Sequence, residues 1–476
     1  MSLPVSAVNR EGDLSFDVDD LLKKEIEADD HLFVVLDDDP TGVQTVHDVS
    51  VYTDWSYDSL EQAFEEKEKI VFLLTNYRAM SVKKTTEVHR EIAERVRLVS
   101  KKKGRPYLFI SRGDSTLRGH YPLETELISE GLEETYGHVD GEILFPFFKE
   151  GGRYTLDSVH YVRYGYALIP AAETEFAKDR TFGYTHSDLR DYIEEKTGGK
   201  VKREDVLTIT IEELRNGDLD GIEGKLVAAE DYRRIAVDAA DYTDVKVFCT
   251  ALYRAIRKGK VFVFRSAAGF VKCMGGISDQ DLLKREDMIG EETGNGGLIV
   301  VGSHTAKTTA QLEKLLALPG VVPVKFASSK VLSEGDFEEE IKRCIALEEE
   351  ILIQGKSAVV YTERTLLSLP DDTKESALAR SVKISEGVTR LVSECSVKPA
   401  FVIAKGGITS SDVGTKGLGV KKARVLGQIE PGIPVWKTDP DSRFPHIPYV
   451  IFPGNVGEDD TLRKAAAKLT GEYAWK

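Results

Sequence analysis

The sequence predicts an α/β fold of two domains, each built on a mostly parallel sheet with helices on both faces, and a ligand site in the cleft between them. Three observations carry this. Short apolar, β-branched runs recur along the chain and alternate with amphipathic helical stretches. Most runs are continuously apolar rather than alternating, as expected of strands covered on both faces. A Gly-rich acidic seam, DMIGEETGNGG at 287–297, divides the runs into two series, which places the domains at 1–290 and 291–476.

The first series comprises LFVVL (32–36), IVFLL (70–74), YLFIS (107–111), EILFP (142–146), RIAVD (234–238) and VFVFR (261–265). Residues 82–103 have helical spacing and close on KKKG, a basic last turn with a glycine stop. The second series is LIVVG (298–302), VVPVKF (321–326), AVVYT (358–362), AFVIA (400–404) and PYVIF (448–452). Between its members lie amphipathic helices at 308–318, 337–355 and 377–395. There is no internal repeat and no low-complexity segment.

The chain has 476 residues, 41% hydrophobic and 30% charged, as in a soluble globular protein, and a net charge of −16. That charge argues against nucleic-acid and acidic-membrane partners, because no basic surplus offsets phosphate repulsion. It leaves room for a small acidic substrate held by a local cluster of Arg and Lys. No apolar run approaches the roughly 20 residues that span a bilayer, and the first residues lack the basic end and apolar core of a signal peptide. Cys249, Cys273, Cys344 and Cys395 form no C-x-x-C pair, so they are expected to be reduced thiols of a cytoplasmic protein. Association into a homo-oligomer stays open.

The stretch HLFVVLDDDPTGVQ (31–44) sets Asp37, Asp38 and Asp39 at the end of an apolar strand. It fits the D-x-D-x-T pattern of haloacid dehalogenase phosphatases through Asp37, Asp39 and Thr41. It equally suits a carboxylate site for a proton or a metal in another enzyme, or a solvated turn. SRGDSTLRGHYPLE (111–124) places Arg112, Asp114, Ser115, Thr116, Arg118 and His120 after the strand 107–111. Ligands of α/β sheets bind at such strand ends. Guanidinium forks suit a carboxylate and short polar groups suit hydroxyls; the plain alternative is a helix cap with Arg118 on the surface. TNYRAMS (75–81) and PFFKEGGRYTLDSVHYV (146–162), with Lys149 and Arg153, lie on the same expected rim.

In the second series, VVGSHTAKTTAQ (300–311), AKGGITSSDVGTKGLG (404–419) and IFPGNVGEDDTL (451–462) each put glycine between a strand and a helix. Such turns offer backbone N–H groups and a helix N-terminus to phosphate. Three together suggest a nucleotide site. No Walker G-x-x-x-x-G-K-[ST] is present, and no G-x-G-x-x-G follows the first strand.

Taken in order, these stretches resemble the four-carbon acid sugar kinase family. The residues that carry the resemblance are Asp38-Asp39-Pro40-Thr41-Gly42, Asp114-Ser115-Thr116-Leu117-Arg118-Gly119, Gly151-Gly152-Arg153 and IPAAETEFAKD (169–179). Later come Gly302-Ser303 with Thr308 and Gln311, Lys405-Gly406-Gly407-Ile408-Thr409 and Gly454-Asn455-Val456-Gly457. The resemblance implies ATP- and Mg²⁺-dependent phosphorylation of a threonate, erythronate or 3-oxo-tetronate-like acid. It implies an N-terminal sugar-acid domain and a C-terminal nucleotide domain. Asp38 and Asp39 would be catalytic, and Asp37, Arg112, Asp114, Ser115, Arg118 and Arg153 would bind the acid. Ser303, Gly406, Gly407, Ile408, Thr409, Gly454 and Asn455 would hold the nucleotide. The chain departs from many relatives at Ile408, where they carry an acidic residue, and from some at Arg112, where they carry lysine. A phosphatase built on Asp37 and Asp39, or a non-catalytic sensor of sugar acid and nucleotide, are the alternatives. Which of the three aspartates would be the base is left open.

Overall fold

A computed structural model of the chain describes residues 2–8, 14–290, 293–365, 367–454 and 456–471. The chain forms two compact units, Met1–Thr45 with Asp54–Asp279, and Val46–Thr53 with Gln280–Lys476. Both are α/β, with mostly parallel strands, as the apolar runs predict.

The first unit holds a parallel row in the order Leu207–Ile209, Arg233–Val237, Gly141–Phe145, Phe262–Ser266, Tyr107–Arg112, Leu32–Asp37 and Ile70–Leu74. Leu32 to Leu36 are fully buried, which is why the run carries no polar alternation. The register matters for function. Asp37 pairs with Arg112 and Leu74, and Arg112 pairs with Ser266, so these residues end their strands on one level.

Helices pack among themselves in groups, Val82–Lys103 against Tyr57–Glu65 and Leu123–Tyr136, and Tyr242–Arg257 against Val18–Glu27 and Leu219–Val227. The Val82–Lys103 helix starts on Ser81, whose side chain accepts from Lys84 N, and stops at Gly104 with φ 65°. A small antiparallel sheet, in the order Leu3–Pro4, Ala167–Pro170, Val159–Tyr164 and Arg153–Leu156, has no counterpart in the sequence reading.

The second unit has a parallel row in the order Val321–Phe326, Ser357–Thr362, Leu298–Val301, Val402–Lys405 and Pro448–Phe452. It continues antiparallel through Ile433–Thr438 and Lys422–Glu430 to Ser50–Tyr52. Lys422–Glu430 alternates half-buried and buried positions and breaks register around Gly427, at φ 134°. Its half-polar pattern lacks the continuous apolar run that marks the other strands. The expected helices begin two or three residues early, at Ala306–Leu316, Glu334–Ile353 and Lys374–Ser393. Ile299, Val301, Leu315, Ile403, Val450 and Phe452 share one core with Leu462 and Ala465.

Candidate functional site

In the first unit, the C-terminal strand ends bring carboxylates and guanidiniums together. Asp37 and Asp38 are 1% and 2% exposed, and Arg112 is 6% exposed. Arg112 Nη1 lies 3.6 Å from Asp37 Oδ1 and 3.9 Å from Asp38 Oδ1. Gly42 leaves room for this arrangement, since a Cβ there would stand 1.7 Å from Asp37 Oδ2. Asp39 is locked by Thr41, whose N–H and hydroxyl donate to Oδ1 at 2.8 and 2.5 Å.

Arg78, in the short turn Tyr77–Ala79, ties the cluster together. Its guanidinium donates to Asp39 and lies 3.6 Å from both Asp38 Oδ2 and Asp114 Oδ1. Neither carboxylate oxygen of Asp38 has a hydrogen-bond partner.

The electrostatics divide these acids. Burial holds the Asp37 carboxyl well above the usual range, against the pull of Arg112. Burial pushes Asp38 up to about 6, with Arg78 and Arg112 opposing. At Asp39 burial is outweighed by Arg78 and the Thr41 bonds, so its pKa is lowered. At Asp114 burial is outweighed by Arg118 and Arg78, which hold it at about 2. Thus similar carboxylates take different protonation behaviour from their surroundings.

Arg118 Nε donates to Asp114 Oδ2 at 2.8 Å and to Thr116 Oγ1 at 3.2 Å. The guanidiniums of Arg118 and Arg153 both lie over the ring of Phe176, at 5.1 and 5.5 Å. Ser115 belongs to the same loop, where its carbonyl faces His160 Nε2 at 2.8 Å. Burial lowers His160 to about 4, so the ring is neutral at physiological pH. Beneath the loop, Arg265 Nε pairs with the fully buried Glu124 at 2.5 Å and its Nη2 donates to the Arg118 carbonyl at 2.9 Å. Gly113 accommodates this strut, because a Cβ there would lie 1.9 Å from Arg265 Nη1.

In the second unit, the glycine turns converge. A cavity of about 480 Å³ is lined by Gly302, Ser303, Gly406, Gly407, Ile408 and Thr409, with Ile384 and Val388. A Cβ on Gly407 would meet nothing within 4 Å, and one on Gly454 would reach only Gly407 N, at 3.8 Å. A Cβ on Gly302 would stand 2.2 Å from Thr409 Oγ1. Thr308 Oγ1 donates to Ser303 Oγ at 3.3 Å and lies 3.5 Å from the Gly454 carbonyl. Ile408 is 74% exposed. Asn455 lies outside the described residues.

Lys405 joins two of these turns. It is fully buried, and Nζ donates to the carbonyls of Pro453 and Gly454 at 2.5 and 3.0 Å. Burial, with Lys307 adding, lowers it to about 7.

The structure therefore brings together Asp37, Asp38, Asp39, Arg112, Asp114 and Arg118 in one unit, with Arg153 joined through Phe176. It brings together Ser303, Gly406, Gly407, Ile408, Thr409 and Gly454 in the other. Arg78 in TNYRAMS and Phe176 in IPAAETEFAKD are site residues for which sequence reasoning assigns no role. Lys405 lies within a stretch that carries the resemblance, and the sequence gives no signal of its burial against the Pro453 and Gly454 carbonyls. The Arg–Asp contacts that single out Arg78 join residues about forty positions apart, and no local pattern signals them.

Residues 33–274 match the sugar-binding N-terminal domain family, and residues 298–462 match the nucleotide-binding C-terminal domain family. No curated protein matches the chain. The fold is similar to that of a Haemophilus influenzae protein of the family DUF1537, at 17% identity over 92% of this chain and 100% of that one, with a TM-score of 0.64. It is also similar to that of a Salmonella typhimurium LT2 protein carrying a provisional tRNA synthase name, at 15% identity over 91% and 98% of the two chains, with a TM-score of 0.65.

Proposed function

We propose that this chain, which belongs to the four-carbon acid sugar kinase family, transfers the γ-phosphoryl group of ATP to a hydroxyl of a threonate-, erythronate- or 3-oxo-tetronate-like acid. The observation that carries the reading is Asp38. It is a buried carboxylate with no hydrogen-bond partner on either oxygen, set among arginines in the domain that matches a sugar-binding family.

Asp38 is the general base. A carboxyl raised to about 6 is ionised at neutral pH and basic enough to take the proton of an attacking hydroxyl. The alkoxide oxygen bonds to the γ-phosphorus, the bond to the β-phosphate oxygen breaks, and ADP leaves. Arg78, beside Asp38, is a cation that can offset the charge on the transferred group. Arg118 and Arg153 grip the substrate carboxylate, while Asp114 orients Arg118 through its 2.8 Å bond. Asp39, bonded to Thr41 and Arg78, orients Arg78 rather than acting as the base. Asp37 and Arg112 lie beside this group, with Arg112 Nη1 3.6 Å from Asp37 Oδ1.

On the nucleotide side, the open space at Gly407 and Gly454 lets phosphate oxygens reach backbone N–H groups. Ile384, Val388 and Ile408 offer an apolar wall for the base. Among the described residues no group of three or more His, Cys, Asp or Glu is arranged to hold a metal. Mg²⁺ carried by ATP would offset charge on the phosphate oxygens. The phosphatase alternative fares worse: its nucleophile would be Asp37, whose buried carboxyl is pushed toward the protonated form. No helix among the described residues is long and apolar enough to cross a membrane.

The test is a panel of four-carbon acids assayed for ADP formation with ATP, beside inorganic phosphate release from the corresponding sugar phosphates. Acid-dependent ADP production supports the kinase. Phosphate release without ADP production supports the phosphatase, and binding of both ligands without turnover supports a sensor.

A further inference from the structure

We propose a second ligand site in the first unit, for a small organic anion with an apolar body. It is a cavity of about 520 Å³ formed by the helices Val18–Glu27, Tyr242–Arg257 and Ala268–Met274 and the turn that follows the last of them. None of its lining residues belongs to the aspartate–arginine cluster or to the glycine turns.

Lys23, Lys246 and Lys272 line the cavity beside Asp19, Glu27 and Asp279, and the last two lysines carry the anion contacts. The Lys272 side chain is 10% exposed, and its ammonium lies 4.7 Å over the Tyr242 ring. Its ion-pair partner Asp279 is 92% exposed. Lys246 Nζ pairs at 2.5 Å with Asp19, which is 70% exposed. In each pair the carboxylate is the more exposed partner, and Lys272, at 10% against 29% for Lys246, is the more sheltered cation. The aspartates are the solvated partners, so an entering anion can take the lysines while the aspartates return to water. That exchange keeps the sheltered ammonium groups paired.

The remaining wall selects the body. Leu22, Ile26 and Ile277 line the same cavity. Gly276, at φ 63°, approaches Ile26 so closely that a Cβ would lie 3.0 Å from its Cδ1. The matching ligand is a carboxylate or phosphate monoester carrying a short alkyl or aryl group. A polyhydroxylated acid has no apolar body for this wall. Inorganic phosphate leaves the wall unused, and an uncharged alcohol leaves the lysines unused.

The experiment uses the full chain with saturating ATP, and calorimetric titration with hexyl phosphate, hexanoate, inorganic phosphate and hexanol. Hexyl phosphate and hexanoate should bind one per chain, with the other two at least tenfold weaker. Comparison of the two anions identifies the preferred head group. Lys246→Gln with Lys272→Gln should weaken hexyl phosphate at least tenfold, and Asp279→Asn should tighten it severalfold by removing the competing carboxylate. The proposal is overturned if the double variant, with an unchanged melting curve, binds hexyl phosphate like the wild type. It is equally overturned if Asp279→Asn leaves binding unchanged, or if ATP competes with the probe. ADP formation with a four-carbon acid plays no part in these readouts, so the kinase reading and this one fail separately.

Discussion

The Arg78 guanidinium lies 3.6 Å from Asp38 Oδ2, a carboxylate whose oxygens accept no hydrogen bond. On the proposed kinase reading the pair would supply a base for the hydroxyl proton and a fixed cation where charge builds. Arg78 is itself held by Asp39 and Asp114, so it need not reorganise as the reaction proceeds.

Asp38→Asn should lower kcat by roughly 10²- to 10⁴-fold, with KM for the acid changed only a few-fold. In the wild type, kcat/KM should fall as pH drops through about 6. The amide variant should lose that limb from its pH–rate profile. Asp39→Asn, which loosens Arg78, should cost less than Asp38→Asn.

The same carboxylate affects stability. Between the ordinary aspartate range and about 6, the folded chain holds the Asp38 proton and the unfolded chain does not. Stability from this group is therefore lost as pH rises through that window. Asp38→Asn should recover on the order of 2 kcal/mol at pH 8 and little at pH 4, as read from urea unfolding.

Arg118→Lys keeps the charge and loses the fork. It should raise KM for the acid about 10- to 100-fold, the range for one charge-assisted bond. Phe176→Ala, which removes the ring under Arg118 and Arg153, should raise KM in the same direction. The uncharged alcohol threitol should be a poor substrate and insensitive to either change. Equal turnover of threitol and threonate would remove the carboxylate-pocket reading.

Gly407→Val should abolish ATP binding with an unchanged melting temperature, since a Cβ there meets only open space. Gly302→Ala should instead lower the melting temperature, because its Cβ would collide with Thr409. Calorimetric titration paired with thermal melts distinguishes the two.

Lys405 is poised at about 7 by burial. Arrival of the ATP phosphates should favour its charged form, so binding should take up a proton between pH 7 and 8. Titrations in buffers of different ionisation enthalpy would detect it, and Lys405→Met should eliminate the uptake. In the free protein, stability should rise with pH above about 7, because there the unfolded chain holds the lysine proton and the folded chain releases it.

What the sequence determined by itself was the parallel framework and the composition of its rims. Runs such as Leu32–Leu36 and Tyr107–Ile110 are apolar because both faces are covered, and that pattern is local. The same holds for the glycines at strand ends, whose missing side chains mark close approach wherever the chain later folds. Only the tertiary structure decided which charges meet. The pairing of Asp37 with Arg112 depends on strand register. The contacts of Arg78 with Asp38, Asp39 and Asp114 depend on three separate loops ending on one level. The short antiparallel strands, and the membership of Val46–Thr53 in the second unit, likewise rest on pairings between distant segments that no local period records. The separation of the three aspartates follows the same rule. Three adjacent aspartates are alike in sequence, and only burial and the placement of arginines leave Asp38 without a hydrogen-bond donor and raise it to about 6.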